Sequence, residues 1–456
     1  MILFDKNFLL SSKSAKTLYR YVKDMPIIDY HNHLSLGDIC ENKRYTDVYD
    51  LWIKPDPYKH RAMRMCGISE KYITGEASNE EKFVKWCTVL PNLVGNPLYH
   101  WSLMELKTVF NIKEMPNKNN GKRLFDLCNA YLEKNEVSVK TLIEKFNIKI
   151  ACPCASFTDD ISKFGNRKTF VPSLRGDDAV EPSAEFIEKI GNLTDVKIKN
   201  LVDFEVALKV RLSQFEQCGC KVSDHALDNG FRFYKDDGKN SERFKTLLDD
   251  SITQEDKLKL SSYILTFLGK EYSRLNFTLQ LHIGAQRYTS TKLREKVGPA
   301  GGFAGIGNSV DVNSLTLLLD TLDMSENGLP KTILFTLNPA DNALISVLSG
   351  SYSKENVSGL ITQGPAWWWC DHKFCIEDMF ENAAAFSVLS NFVGMTTDSR
   401  SFLSFVRHDY FRRILCNYLG EKYRSGEYDN FSLVKNIAKK MCYENANKIF
   451  KENDYV

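Results

Sequence analysis

No stretch of the 456-residue chain approaches the ~18 uninterrupted apolar residues that a membrane-spanning helix requires. Neither sign of charge dominates. Lys and Arg number 60 against 58 Asp and Glu, a net +2, so there is no electrostatic footprint for DNA, RNA or an anionic membrane. The twelve cysteines include no Cys-x-x-Cys pair. Their tightest spacings are "CPC" (Cys152, Cys154) and "CGC" (Cys218, Cys220), which argues against a zinc ribbon. The opening "MILFDKNFLLSSKSAK" interrupts its apolar residues with Asp5 and Lys6 and lacks the layout of a secretory signal. Scattered thiols in such a chain are expected to be buried and reduced, in the cytoplasm. Low-complexity tracts and short repeats of fixed period are missing too. The glycine-rich "GPAGGFAGIG" (298–307) follows no convincing strand and has no P-loop Lys-Ser/Thr pair, so it reads as a flexible loop near a site.

What is present is an ordinary globular balance, 43% hydrophobic and 26% charged, enough for a sizeable core in one large or two ordinary domains. Eight strand-like apolar runs recur, each ending in a polar or ionisable residue. They are "PIIDYHNH" (26–33), "IKIACPC" (148–154), "TFVPSLR" (169–175), "CKVSDH" (220–225), "FTLQLHIG" (277–284), "TILFTLN" (332–338), "LITQGPAWW" (360–368) and "FVGMTTDSR" (392–400). Several intervals carry helical periodicity: Leu201, Phe204, Leu208, Leu212 and Phe215 share one face, and 241–275 reads as helix in two pieces. Strands alternating with helices argue for parallel βαβ units, and eight of them for an α/β fold of the closed (β/α)₈ kind. A doubly wound open sheet would normally announce itself with a glycine fingerprint after the first strand; here that strand ends in His-Asn-His. Residues 1–35 and 148–456 are assigned to the barrel. Residues 36–147, far longer than one crossover needs, are read as a mostly helical insertion over its mouth.

Barrel active sites lie where strand C-termini meet the following loops. The strand ends here are His31 and His33, Cys154 with Asp159 and Asp160 beyond, Arg175, Asp224 and His225, His282, Asn338, Trp367, and Asp398 with Arg400. In an extended chain, residues two apart point the same way, so His31 and His33 converge on one point, as two ligands of one metal must. With a third histidine and an aspartate they can supply the N and O donors of a mononuclear Zn²⁺-type site. His60, His100, His372 and His408 lie off the strand ends and are read as structural. Arg175, Arg287 and Arg400 fall at or just past strand ends, where forked donors suit the carboxylate of a small anionic substrate.

Several segments together resemble one family. "DYHNHLS", "DPYKHRAMR", "GNPLYHW", "FVPSLR", "CKVSDHALD", "HIGAQR" and "FVGMTTDSRSFLSFVRHDYFRRIL", in order from about residue 4 to 450, are similar to the bacterial uronate isomerases of the amidohydrolase superfamily. The resemblance implies interconversion of D-glucuronate with D-fructuronate and of D-galacturonate with D-tagaturonate, in hexuronate catabolism. It implies a divalent metal, expected to be Zn²⁺, held by His31, His33 and Asp398. Tyr58, Asp224, His282, Arg287 and Asp398 become the catalytic set, and Arg175, Trp367 and Arg400 the substrate-binding set. Acidic sugars are the expected partners, with further copies of the same chain in a homo-oligomer.

The implied chemistry suits those side chains. Asp398 takes the C1 hydroxyl proton while His282, oriented by Asp224, protonates the ring oxygen. Tyr58, as a phenolate whose pKa is lowered by Arg287, then moves a proton between C2 and C1. Arg175 and Arg400 hold the carboxylate. His282 as a fourth metal ligand is an open alternative. One departure is "PCASFTDDISKF" (153–164), where the family typically has Thr-Thr-Asp-Asp-Pro: Asp159 and Asp160 survive without the proline. A metal-dependent hydrolase, lactonase or deaminase, is the alternative function, because fold alone does not fix chemistry. A binding protein without activity is the third.

Overall fold

The computed structural model describes residues 5–165 and 168–451. Its centre is a parallel sheet of seven strands in the order β1 (Ile27–Asn32), β2 (Ile148–Ser156), β3 (Ser173–Arg175), β4 (Val222–Leu227), β5 (Thr278–Ile283), β8 (Thr332–Thr336) and β9 (Ile361–Gln363). Two short strands, β6 (Ala285–Gln286) and β7 (Gly305–Ile306), pair antiparallel beside it. Helices cross between the barrel strands. The stripe Leu201, Phe204, Leu208, Leu212 and Phe215 is buried on the helix Leu201–Gln217, and 241–275 forms two helices, Asn240–Leu248 and Gln254–Arg274. β1 and β5 are buried at every position, as strands covered on both sides must be.

The eighth expected strand is present as a segment but not as a regular strand. Residues 392–400 run beside β1, with the Asp398 amide donating to the His31 carbonyl (3.1 Å) and the His33 amide to that of Ser399 (2.9 Å). Between these, the His31 amide donates to Thr396 Oγ1 (2.9 Å), a side chain standing where a strand would offer a carbonyl. Gly394 and Asp398 both have positive φ, 102° and 48°, which breaks the extended geometry. A buried carboxylate holds the seam. Asp29 accepts from the Thr397 amide (2.6 Å), the Thr397 hydroxyl (2.7 Å) and Asn32 Nδ2 (2.9 Å), and lies 3.0 Å from Thr396 Oγ1 and 3.3 Å from His408 Nε2. On the β1 side, ladder pairing has been exchanged for a side-chain network.

Between β1 and β2 the chain is helical, with Leu36–Cys40, Val48–Trp52, Pro57–Met65, Asn79–Val89, Pro97–Phe110, Gly121–Lys134 and Val139–Lys145. These helices pack around Trp52, Phe83, Trp86 and Trp101, all nearly inaccessible. The helix Pro57–Met65 is started by Asp56, whose carboxylate accepts from the amides of Tyr58 (2.9 Å) and Lys59 (3.3 Å). Asp56 also pairs with the buried Lys59 ammonium, 3.6 Å from Glu105. The glycine-rich loop lies on this helix: Arg61 donates to the carbonyls of Gly302 (3.1 Å) and Ala304 (3.0 Å). A side chain at Gly302, φ +80°, would meet the Pro57 carbonyl at 2.4 Å. Only glycine permits that approach.

Replacing Asp29 by alanine leaves several buried donors without an acceptor, each costing about 1–3 kcal/mol. The expected loss is about 3 kcal/mol or more, read as a lower midpoint in urea unfolding. An unchanged midpoint would show that the seam between β1 and 392–400 is held by something else.

Candidate active site

The strand ends converge as the alternation of β1 requires. The rings of His31 and His33 stand 5.3 Å apart, and their Nε2 atoms lie 3.3 and 3.1 Å from one oxygen, Asp398 Oδ1. The positive φ of Asp398 and the anchored Thr396–Thr397 pair present that carboxylate to them. Cys154, at the end of β2, sets its Sγ 3.6 Å from His31 Nδ1 and 3.7 Å from Asp224 Oδ1. His282, from β5, packs its ring 4.6 Å from His31, 4.7 Å from Phe335 and 4.7 Å from Trp367. Both of its ring nitrogens are buried without a hydrogen-bond partner among the described residues.

Charge explains the protonation pattern. Burial would pull His31 and His33 down, but Cys154 and the carboxylates around them drive His31 well above the ordinary imidazole value and raise His33 as well. Burial would push Asp398 up, yet hydrogen bonds from both imidazoles hold it well below the carboxylate range. Burial and Asp224 push the Cys154 thiol up, and the two imidazoles outweigh them and leave it lowered. Two carboxylates and a thiol thus crowd two imidazoles, a donor set whose charge a divalent cation would balance. Two overlapping sets, His31–His33–Cys154 and His31–Asp224–His282, each keep their ligand atoms within 4.8 Å of one another. With the orphaned nitrogens of His282, this donor chemistry fits a metal.

Asp224 is fully buried but is not a hydrogen-bond partner of His282, whose Nδ1 lies 3.8 Å away. It accepts instead from Arg175 (3.1 Å), which also reaches Asp177 at 2.8 Å. The register explains this, because Arg175 and Asp224 sit opposite one another on β3 and β4. Arg400 is exposed and forms no ion pair among the described residues. His225 bonds Tyr272 (2.9 Å) and His408 bonds Asp29, both structural roles; His372 caps the helix Lys373–Phe386. Asp159 and Asp160 serve the loop after β2 by accepting from local backbone amides.

Tyr58 corrects one expectation. Its phenol is pushed well up rather than down, first by burial and then by Asp398, and Arg407 is the cation that opposes them. Arg287 instead donates to Asp228 (2.6 Å) and lies over Trp368. Arg407 is fully buried, 5.1 Å from the centre of the Tyr58 ring and 3.9 Å from that of Trp101, and donates to the Thr397 carbonyl (3.0 Å). Asp371, pushed up to about 7 by burial, is 3.7 Å from it. Trp101 and Trp369 wall the phenol edge-on. Arg407 stands inside the segment 392–415 that carries the family resemblance, but no strand end singled it out, since it lies on a helix nine residues past Asp398. The convergence of Cys154 with the histidines did have one: the same two-residue alternation read at "HNH" applies to "CPC".

Alanine at His31 or His33 removes a nitrogen donor from this cluster. Each variant is expected to retain much less divalent metal than the parent after gel filtration, and the double variant essentially none. Full occupancy in the double variant would place the metal elsewhere.

Comparison with known proteins adds the following. A family model described as glucuronate isomerase matches residues 1–450. The uronate isomerase of Caldicellulosiruptor saccharolyticus is 39% identical over 460 residues, covering 98% of each chain. That of Caldanaerobacter subterraneus is 38% identical over 457 residues, covering 97% of this chain and 98% of its own. The crystal structure of uronate isomerase from Thermotoga maritima superposes with a TM-score of 0.92 at 29% identity, over 99% of this chain and all of the other. A protein described as a metal-dependent hydrolase, from Lactobacillus casei, shares the fold at a TM-score of 0.51 and 11% identity.

Proposed function

This chain belongs to the glucuronate isomerase family, and from that premise we propose that it interconverts D-glucuronate with D-fructuronate and D-galacturonate with D-tagaturonate. The observation that carries the reading is the juxtaposition of the His31–His33–Asp398 cluster with a buried tyrosine supplied by the inserted helices. We assign His31, His33 and Asp398 as holders of the metal and Zn²⁺ as the metal, since imidazole and carboxylate donors suit it. When bound, a divalent cation supplies positive charge at Asp398, offsetting the carboxylate that pushes Tyr58 up and polarising substrate oxygens.

The chain's own residues then divide the work. The Asp398 carboxylate accepts the hydrogen bond of the anomeric hydroxyl. Burial first, and the charge of His31 next, hold His282 well below the ordinary imidazole range, so it meets the ring oxygen as a neutral N–H donor rather than an imidazolium. In ring opening the Asp398 carboxylate takes the C1 hydroxyl proton and the ring oxygen receives one through the His282 N–H. The other nitrogen of His282 takes up the proton from Asp398, so one proton moves in net and no imidazolate remains. Tyr58 gives up its own proton to solvent as the sugar enters, and Arg407 stabilises the phenolate across the ring. The phenolate takes the C2 proton and returns it to C1, while the C2 hydroxyl proton passes to the C1 oxygen to complete the enediol route. Arg175 is tied to Asp224 and Asp177, which leaves the exposed Arg400 as the freer partner for the sugar carboxylate, with Trp367 flooring the pocket beside His282. Residues 36–147 act as the cover that keeps water from the enediol. No helix among the described residues is long and apolar enough to cross a membrane.

Tyr58→Phe should keep its fold and its metal but lose uronate isomerisation by at least about 100-fold, the worth of a general base. Near-normal turnover would show that another group moves the proton. Replacing Arg407 by methionine removes the cation that lies over the phenol ring, so the pH at which activity rises should move upward. A loss equal at every pH would instead mark Arg407 as purely structural. Arg400→Met should raise KM for glucuronate more than it lowers kcat, and glucose should be a poor substrate of the parent. Efficient turnover of glucose would refute recognition of the acid.

A further inference from the structure

We propose that Cys154 is itself a ligand of the metal, a thiolate beside His31, His33 and Asp398. The inference rests on the metal reading above and adds a donor that lies outside the His-x-His and Asp pattern. A tetrahedral cation bonding N and O at ~2.0 Å and S at ~2.3 Å holds its donors about 3.3 Å (N to O) and about 3.5 Å (S to N) apart. Asp398 Oδ1 is 3.3 Å from His31 Nε2 and 3.1 Å from His33 Nε2. Cys154 Sγ is 4.0 Å from that same His31 Nε2 and 3.6 Å from Nδ1 of the ring. One nitrogen of His31, one of His33 and the sulfur all lie within 4.8 Å of one another. Two imidazoles and the sulfur are thus gathered on one side, and Asp398 meets the same two rings at Nε2, so a cation that draws these donors together would have an N₂OS shell.

The strand explains how the sulfur arrives there. Cys152 and Cys154 alternate with Pro153, which pairs with Asn32 of β1, so the second thiol comes up beside the histidines. Cys152 is wholly buried, whereas Cys154 keeps some exposure on the side where His33 and Asp398 also meet solvent. Ligation replaces the S–H bond by a sulfur–metal bond, and the proton leaves to buffer. The two anionic donors then balance the charge of a divalent cation. A thiolate also makes the set softer, favouring Zn²⁺ or Co²⁺ over Mg²⁺ and Mn²⁺.

The test uses Co²⁺ as the probe. Metal-free full-length protein loaded with one equivalent of Co²⁺ should show a sulfur-to-cobalt charge-transfer band in the near ultraviolet, and Cys154→Ser should bind Co²⁺ without it. Zn²⁺ affinity in Cys154→Ser should fall by more than about tenfold, the lower end of what even an outer-sphere partner is worth, with Mn²⁺ affinity changing less. Bound Co²⁺ without the band in the parent protein overturns the proposal whether or not the variant folds. So does a band that survives in Cys154→Ser, which would place the sulfur ligand at another of the twelve cysteines. Parent protein that binds no Co²⁺ would overturn the metal reading and this proposal together. Binding lost in His33→Ala but lacking the sulfur band in the parent would overturn this proposal alone.

Discussion

The site depends on one buried carboxylate that touches no substrate. Asp29 fastens Thr396 and Thr397 to β1 from inside the barrel, and only with that seam closed does Asp398 stand over the nitrogens of His31 and His33. Backbone pairing alone could not do this, because a regular eighth strand would continue past the point where the chain must turn the Asp398 carboxylate inward. The left-handed backbone at Asp398 costs energy for a residue other than glycine. The amide and hydroxyl bonds of the Asp29 network offset that cost. Precision at the cluster is thus obtained from hydrogen bonds two and three residues away.

A second constraint is the amount of charge confined in a small, largely dry space. Asp398, Asp224 and Cys154 face two imidazoles and Arg175, while Asp371 and Arg407 lie on the Tyr58 side. Buried ions are tolerated only when each is paired and hydrogen-bonded. Arg407 meets that demand with the Thr397 carbonyl, Asp371 and two aromatic faces, and so joins the inserted helices to the segment that carries Asp398. Residues from three separate parts of the chain are therefore coupled through one guanidinium. Anything that perturbs the seating of Tyr58 will be felt at the His31–His33–Asp398 cluster, and the reverse holds as well.

Much of this was legible beforehand where period-two alternation and strand ends decide the outcome. His31, His33 and Asp398 meet because β1 projects alternate residues to one side, and the helix at 201–217 follows from its stripe. The eighth strand was legible as an apolar run, but its irregularity was not. Thr396 reads like any β-branched strand residue until its hydroxyl is seen to accept from the His31 amide. The partner of Tyr58 was mistaken for a related reason. Arg287 sits at a strand end and Arg407 on a helix, and which of them reaches a residue of the insertion is a fact of tertiary packing. The pairing of Arg175 with Asp224 rather than His282 with Asp224 likewise depends on strand register, which no local motif encodes.

The same packing bears on why a barrel shared with a metal-dependent hydrolase should serve an isomerase. Hydrolysis needs water delivered to an activating cation, so the metal must face solvent. Here the helix that carries Tyr58 is pinned by Arg61 and Arg64 to the loop 301–304. Trp101, Trp369 and Arg407 surround the phenol and leave it no hydrogen-bonded partner among the described residues. Aromatic walls and a buried guanidinium are poor surroundings for activating water, and they suit the transfer of one proton between adjacent carbons that is proposed for Tyr58. On the proposed reading the barrel supplies the cation site, and the insertion, through Tyr58, selects which chemistry that site performs.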